Sequence, residues 1–235
     1  MKLTNQENLT PDTWLSEQLG KPAFILEKNF SQFSQGQLLE SKAFVSAKVA
    51  AGDHRSLSFL QQRGFRIVDV NLQYMGIPNQ QQSSLSSEQI RPAVKEDEQQ
   101  VCKIAATEFS HSRFHQDPEI SDKIAATIKH DWVANYFCGS RGDLLIVAEH
   151  NKEVAGFLLL LWKFPVMTVD LIAVTTIHQN QGVAGRLIRF AWDHHRQEAV
   201  RMLAGTQLSN PLSMALYSRL GFQLISANYV LHLHV

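Results

Sequence analysis

The run His178-Gln179-Asn180-Gln181-Gly182-Val183-Ala184-Gly185-Arg186-Leu187-Ile188 has the residue types of an anion cradle, with Gln179-x-x-Gly182-x-Ala184 at its core. Small residues at 182, 184 and 185 let backbone N–H groups approach a ligand closely. A helix N-terminus beyond them adds unsatisfied amide donors and a positive dipole end, which together suit a diphosphate. The run lacks the pattern G-x-x-x-x-G-K-[ST], and its glycines do not follow G-x-G-x-x-G. Neither a P-loop nor a Rossmann dinucleotide turn is therefore indicated.

The elements that must hold this turn can be read on either side of it. Thr168 to Val174 is strand-like, and Arg186 to Val200 reads as a helix with Leu187, Ile188, Ala191 and Trp192 on its apolar face. Upstream, Ile90-Arg-Pro-Ala-Val94 is a short strand. An acidic helix start follows it, then Val101, Ile104, Ala105 and Phe109 at helical spacing. Asp143–Glu149 and Glu153–Leu161 form two strand-like runs around His150-Asn151-Lys152, a tight hairpin turn. The order strand, helix, hairpin, strand, helix predicts a fold that combines helices with a sheet, read here as α+β.

A polar stretch from Gly76 to Gln89 offers little that could pack. It divides the chain into an expected N-terminal domain, 1–76, a linker, 77–89, and a larger domain, 90–235. The first part contains an echo of the second: Ser56-Leu-Ser-Phe-Leu-Gln-Gln-Arg-Gly-Phe65 aligns with Ser213-Met-Ala-Leu-Tyr-Ser-Arg-Leu-Gly-Phe222. In both, a short helix ends at glycine and a phenylalanine opens the next strand, which suggests one supersecondary unit used twice.

Composition narrows the function classes. Lys+Arg 22 against Asp+Glu 22 gives no net charge, which argues against polyanion binding as the main task. Cys102 and Cys138 make neither a metal pair nor a disulfide framework, the N-terminus is too polar for a signal peptide, and the longest apolar run, Val154–Trp162, is too short for a membrane helix. A cytoplasmic protein is the expectation. His111, His115 and Asp117, and separately His232 and His234, lack further ligands at the usual spacing, so no metal site is expected.

The turn at 179–184 after a strand ending Ile172-Ala-Val174 resembles the acetyl-CoA motif of the GNAT acetyltransferase superfamily. Asn210, Ala215, Tyr217 and Gly221-Phe222 resemble the family's second signature, in the right order, and the likeness covers residues 90–235. It implies an acyl-CoA N-acyltransferase fold, acetyl-CoA as cosubstrate, and a cofactor site of Ile172, Val174, Gln179, Asn180, Gln181, Gly182, Val183, Ala184, Gly185, Asn210 and Tyr217. It further implies an oxyanion donor at the Val174 N–H and a general acid at Tyr217, whose ordinary pKa near 10 keeps its proton at neutral pH. Phe109-Ser-His-Ser-Arg-Phe114, Thr13-Trp14, and the segment from Ala47 to Phe65 are similar to a group of bacterial dTDP-fucosamine acetyltransferases. That group carries a truncated copy of the fold before the catalytic one, which would account for the echo and for Leu60 standing where the second copy has Tyr217. The implied acceptor is a nucleotide-linked amino sugar, used for cell-surface polysaccharide.

Two carboxylates compete as the base. Asp170 shares a face with Ile172 and Val174 if the strand alternates strictly, and Asp69 is a rival if the two copies pack together. Arg113 is the expected anchor for a substrate diphosphate or carboxylate, and Phe114 the expected wall or stacking partner for the acceptor. The sequence leaves open another amine as acceptor, a CoA-binding module without turnover, the choice of dTDP or UDP, and a homodimer through an edge strand.

Overall fold

A computed structural model describes residues 8–34, 42–79, 89–195, 197 and 199–235. Its strands are β1 (Leu9–Pro11), β2 (Ala23–Leu26), β3 (Phe44–Ala50), β4 (Arg66–Gly76), β5 (Gln89–Pro92), β6 (Leu144–His150), β7 (Glu153–Lys163), β8 (Val166–Val174), β9 (Arg201–Gln207) and β10 (Gln223–His234). The α-helices are α1 (Thr13–Leu19), α2 (His54–Gln61), α3 (Glu98–Glu108), α4 (Asp122–Phe137), α5 (Val183–His195) and α6 (Pro211–Arg219). All ten described strands form one mixed sheet in the order β1-β2-β3-β10-β4-β9-β8-β7-β6-β5. The last strand thus lies between two strands of the first 76 residues, antiparallel to both.

Helices cover both faces of the sheet. On one face Leu187, Ile188, Ala191 and Trp192 of α5 pack with Leu158, Leu160 and Met167 of the sheet. On the other, Val101 and Ile104 of α3 and Val133 of α4 meet Val147, Phe157 and Leu159. The hairpin between β6 and β7 turns through Asn151 and Lys152, both with positive φ (51° and 68°), the pairing a two-residue I′ turn requires.

The two echoed segments have matching local geometry. Asp53 caps α2 by accepting from the Ser56 amide, and Asn210 caps α6 by accepting from the Ser213 amide. Gly64 (φ 84°) and Gly221 (φ 87°) then take the left-handed turn, and the amides of Phe65 and Phe222 bond the carbonyls of Leu60 and Tyr217. The strands that follow, β4 and β10, lie side by side. Between Gly76 and Gln89, Asn79 is tied to the end of α6 through the Leu220 carbonyl, while residues 80–88 of the expected linker lie outside the described residues.

Two expectations change. The helix expected from Arg186 begins at Val183, so the small residues of the turn are the helix's own first turn. Helix α4 has no counterpart in the sequence reading, because its buried stripe of Ala125, Ile128 and Val133 includes Lys129, a residue that ordinarily marks a solvated face. Among the described residues no helix is long and apolar enough to cross a membrane.

Candidate active site

The site is built where β8 and β9 part. These parallel strands pair only from Val166 with Arg201 to Val169 with Ala204; beyond that they part, β8 running on against β7 to Val174 and β9 against β4 to Gln207. The fork opens into a cleft of about 350 Å³. One wall is Asp170–Val174, the other Gly205–Gln207, and the start of α5 and the α6 residues Leu216 and Tyr217 close it. The amide of Thr175 donates to Ala155 of β7, so by alternation the amides of Val174 and Ile172 point away from β7 and into the fork.

The turn that feeds α5 is held by side chains. Gln179 donates through Nε2 to the Val174 carbonyl (3.0 Å) and to Glu108 (3.2 Å), while Glu108 also accepts from the amide and hydroxyl of Thr176. The side chain of Gln179 therefore fixes the end of β8 to α3, leaving anion contact to the backbone. Asn180 (φ 61°) and Gly182 (φ 80°) take left-handed conformations that lead into the helix. The amides of the first turn of α5, Val183 to Gly185, stand at the cleft with no acceptors earlier in their own helix. A Cβ at Gly185 would meet Leu220 and Leu216 of the α6 end at ordinary contact distances, 3.8 and 3.9 Å, and the Arg189 guanidinium at 3.3 Å. Gln181 is absent from the cleft lining; its side chain bonds the Ile177 carbonyl and its own carbonyl accepts from Arg186.

Tyr217 is buried on the cleft wall, its ring against Tyr74 (5.6 Å between centroids) and Phe222 (5.8 Å). Among the described residues its hydroxyl has no partner, and burial pushes the phenol well above its ordinary range, so it keeps its proton at neutral pH. Asn210 lines the cleft too, with its side-chain oxygen spent on the α6 cap and its NH₂ left for a ligand.

Asp170 is not where strict alternation puts it. The register of β7 with β8 jumps from Leu159–Leu171 to Leu160–Val169, making Asp170 the extra residue of a β-bulge. Its carboxylate goes to the α4 side, accepting from Arg141 (2.6 and 2.8 Å) and from Trp132 Nε1 (2.9 Å), whereas Ile172 and Val174 pack with the α5 and α6 side. With both oxygens occupied, Asp170 anchors the wall and is poorly placed to take a proton. Trp14 of α1 supports this anchor, edge-on to Trp132 at 5.6 Å.

Asp69 presents the opposite case. It is 8% exposed and accepts from the Val70 amide at 2.7 Å. Burial raises its carboxyl to about 6, against the opposing pull of that hydrogen bond and of His111. Asp69 itself is absent from the cleft lining; its link to the cleft is the charge of His111, which does line it. Asp69 comes from β4, in the N-terminal part of the chain.

Phe114 is a correction. It is 1% exposed in a core with Leu15, Phe44 and Ile128, and contributes nothing to the cleft wall. Arg113 is half-buried behind Ser112, which does line the cleft, and its guanidinium lies 4.5 Å from the Phe114 ring. Residues 109–120 form turns, in which His115 bonds Ser112 (2.6 Å). Asp117 joins His232 (2.6 Å) and His234 (2.8 Å), pinning this loop to β10; the sequence shows the histidine pair but not its partner, which lies over a hundred residues away. Burial lowers His232 to about 4, so it is neutral at ordinary pH. Also missed was Lys129, which lines the cleft between the rings of Phe109 and Trp132.

The site thus combines a fork between two parallel strands, a helix start aimed into it and a buried tyrosine across from it. The chain belongs to the GNAT family: the profile of "Acetyltransferase (GNAT) family" matches residues 99–222. Among curated proteins it is similar to "Spore coat polysaccharide biosynthesis protein SpsD" of Bacillus subtilis (strain 168), 28% identical over 210 residues, covering 88% of this chain and 72% of the relative. Among solved structures, a functionally unknown conserved protein from Staphylococcus epidermidis ATCC 12228 aligns with TM-score 0.69 and 14% identity, over 100% of this chain and 94% of the other. A GCN5-related N-acetyltransferase from Kribbella flavida aligns with TM-score 0.60 and 11% identity, over 90% and 80%. These structural likenesses speak for the fold alone.

Proposed function

We propose that the protein transfers the acetyl group of acetyl-CoA to the amine of a nucleotide-linked amino sugar of the dTDP-fucosamine kind, in cell-surface polysaccharide synthesis. The observation that carries the transferase half is the fork: amides of β8 turned inward, the start of α5 at one side and an unpartnered phenol at the other. The fit to acetyl-CoA rests on the same features. First-turn amides of α5 and the backbone of 180–182 would hold its diphosphate, and the fork would take its extended arm by strand-like pairing. The relative named for spore coat polysaccharide biosynthesis supports the sugar half.

In this reading the Val174 amide polarises the thioester carbonyl. The acceptor nitrogen forms its bond to the carbonyl carbon, the carbon–sulfur bond breaks, and the leaving thiolate takes the Tyr217 proton. Asp69, directly or through one water, takes the proton that the amine loses; a carboxylate near 6 is ionised at neutral pH and basic enough for the task. Asn210, through its NH₂, and Ile172, through its amide, help hold the cosubstrate in line. The N-terminal part, 1–76, would then be a truncated copy of the fold that has given up cofactor binding and supplies the acceptor side.

The test is thiol release from acetyl-CoA across dTDP- and UDP-linked amino sugars, spermidine, an aminoglycoside and a lysine-containing peptide. Saturable turnover confined to a nucleotide sugar supports the reading. Turnover confined to another amine keeps the transferase and discards the sugar nucleotide. Acetyl-CoA binding without turnover on any of them points to a binding module.

A further inference from the structure

Lys129 lies on the buried stripe of α4 with Ala125, Ile128 and Val133, and is 8% exposed. A lysine so placed normally has a carboxylate partner. Here the ammonium sits 4.9 Å from the Phe109 ring centre and 4.8 Å from that of Trp132, and among the described residues no carboxylate is within ion-pair distance. The nearby Asp170 is committed to Arg141 and Trp132. Burial, and then the charge of Arg113, lower the lysine to about 8.

Arg113 repeats the pattern. Its guanidinium stacks on Phe114 and, among the described residues, its fork meets no acceptor; Asp12 reaches it only as a distant charge. It is close enough to depress Lys48 as well as Lys129. Lys48 stands on β3 directly across Val230 from Asp69, so it shares the sheet face that holds the candidate base. The acids of this face bond other groups directly: Asp117 bonds two histidines, Asp69 the Val70 amide, and Glu119 Arg66. Among the described residues none of the three cations has an ion-pair partner, Asp170 and Asp12 acting on Lys129 and Arg113 only at longer range; Lys129 opens onto the cleft, and Lys48 is exposed.

We propose that Lys129, Arg113 and Lys48 form a subsite for a phosphate or diphosphate of the acceptor, with Lys129 as the contact inside the cleft and the Arg113 fork behind it. This deepens the nucleotide-sugar reading and rests on it for the identity of the acceptor. A diphosphate is favoured over a single carboxylate because its two or so negative charges better match three cations, and its oxygens suit a guanidinium fork. The site explains why the fold retains a desolvated lysine between two rings: the missing counter-charge arrives with the substrate.

The experiment is calorimetric titration of the full chain, loaded with CoA, using pyrophosphate, dTDP and glucuronate as separate probes. It compares wild type with Lys129→Met, which keeps the buried stem between the rings, Lys129→Arg, which keeps the charge, and Lys152→Met in the exposed hairpin as a control. Pyrophosphate and dTDP are expected to bind wild type and Lys152→Met alike, to weaken about ten- to a hundredfold in Lys129→Met, and to recover partly in Lys129→Arg. Equal binding to wild type and Lys129→Met, or a preference for glucuronate over both phosphates, overturns the subsite. Lys129-dependent dTDP binding with no nucleotide sugar acetylated keeps the subsite and sinks only the acceptor assigned above.

Discussion

Replacing Tyr217 by phenylalanine separates the chemical role of the hydroxyl from the packing role of the ring. The ring is enclosed by Tyr74 and Phe222, contacts that phenylalanine keeps, and the hydroxyl has no partner among the described residues that would be orphaned by its loss. The stability change should therefore stay under about 1 kcal/mol, which for a chain of this size is a shift in Tm of no more than about 4 °C. Proton donation to the leaving thiolate is a different matter. General acid catalysis contributes about 10²- to 10⁴-fold, or roughly 3 to 5 kcal/mol of barrier at about 1.4 kcal/mol per decade. The assay is thiol release at saturating acetyl-CoA, with thermal unfolding of the same preparation. The expected result is kcat down at least about a hundredfold, KM for acetyl-CoA within a few-fold and Tm almost unmoved. Undiminished kcat would refute the acid assignment. A collapse of Tm would refute the claim that the hydroxyl does no structural work.

Three further variants probe the walls of the cleft. Asp170→Asn sets an amide against Arg141 and Trp132 and should cost about 1 to 3 kcal/mol in urea unfolding, the usual penalty for breaking a buried pair discounted for the half-exposed arginine. Its pH–rate profile should keep the wild-type shape, since Asp170 is an anchor, and loss of the acid limb would restore it as the base. Asp69→Asn should abolish the rise in kcat/KM near pH 6 and lower the rate at pH 8 about a hundredfold. Because the folded state raises this carboxyl above its ordinary value, its contribution to stability is present at low pH and lost as pH rises through about 6. The asparagine variant should accordingly unfold at a higher Tm than wild type at pH 8 and at an equal Tm near pH 4; the reverse order would remove Asp69 from its buried setting. Gly156→Ala would bring a methyl to 2.8 Å from the Ala173 carbonyl oxygen and 3.1 Å from Val174 Cα. It should cost about 1 to 3 kcal/mol and raise KM for acetyl-CoA by displacing the Val174 amide; an unchanged KM would dissociate that amide from the cosubstrate.

What could be read in the sequence was local. The turn from Gln179 to Gly185 announces itself because a close backbone approach needs small residues at set positions, and the hairpin through Asn151 because asparagine tolerates left-handed geometry. The paired units ending in Gly64 and Gly221 were legible for the same reason. What escaped depended on partners far along the chain. The bulge at Asp170 is a property of how β7 and β8 register, and a one-residue slip there sends the carboxylate to the other face. Phe114 was placed at the site by its neighbours in sequence, but the apolar pocket made by α1, β3 and α4 takes it into the core. Lys129 carried a signal, a position in phase with Ala125, Ile128 and Val133 held by a residue type that ordinarily goes to solvent, and only the enclosing rings show why it does not.

The most direct measurement is product analysis after incubating the protein with carbonyl-labelled acetyl-CoA and a dTDP-linked 4-amino-4,6-dideoxyhexose. The account predicts one labelled acetyl group per sugar nucleotide, held as an amide on the sugar nitrogen, with an equivalent of free CoA. Free CoA accumulating without labelled sugar, or label on any atom other than that nitrogen, would contradict it.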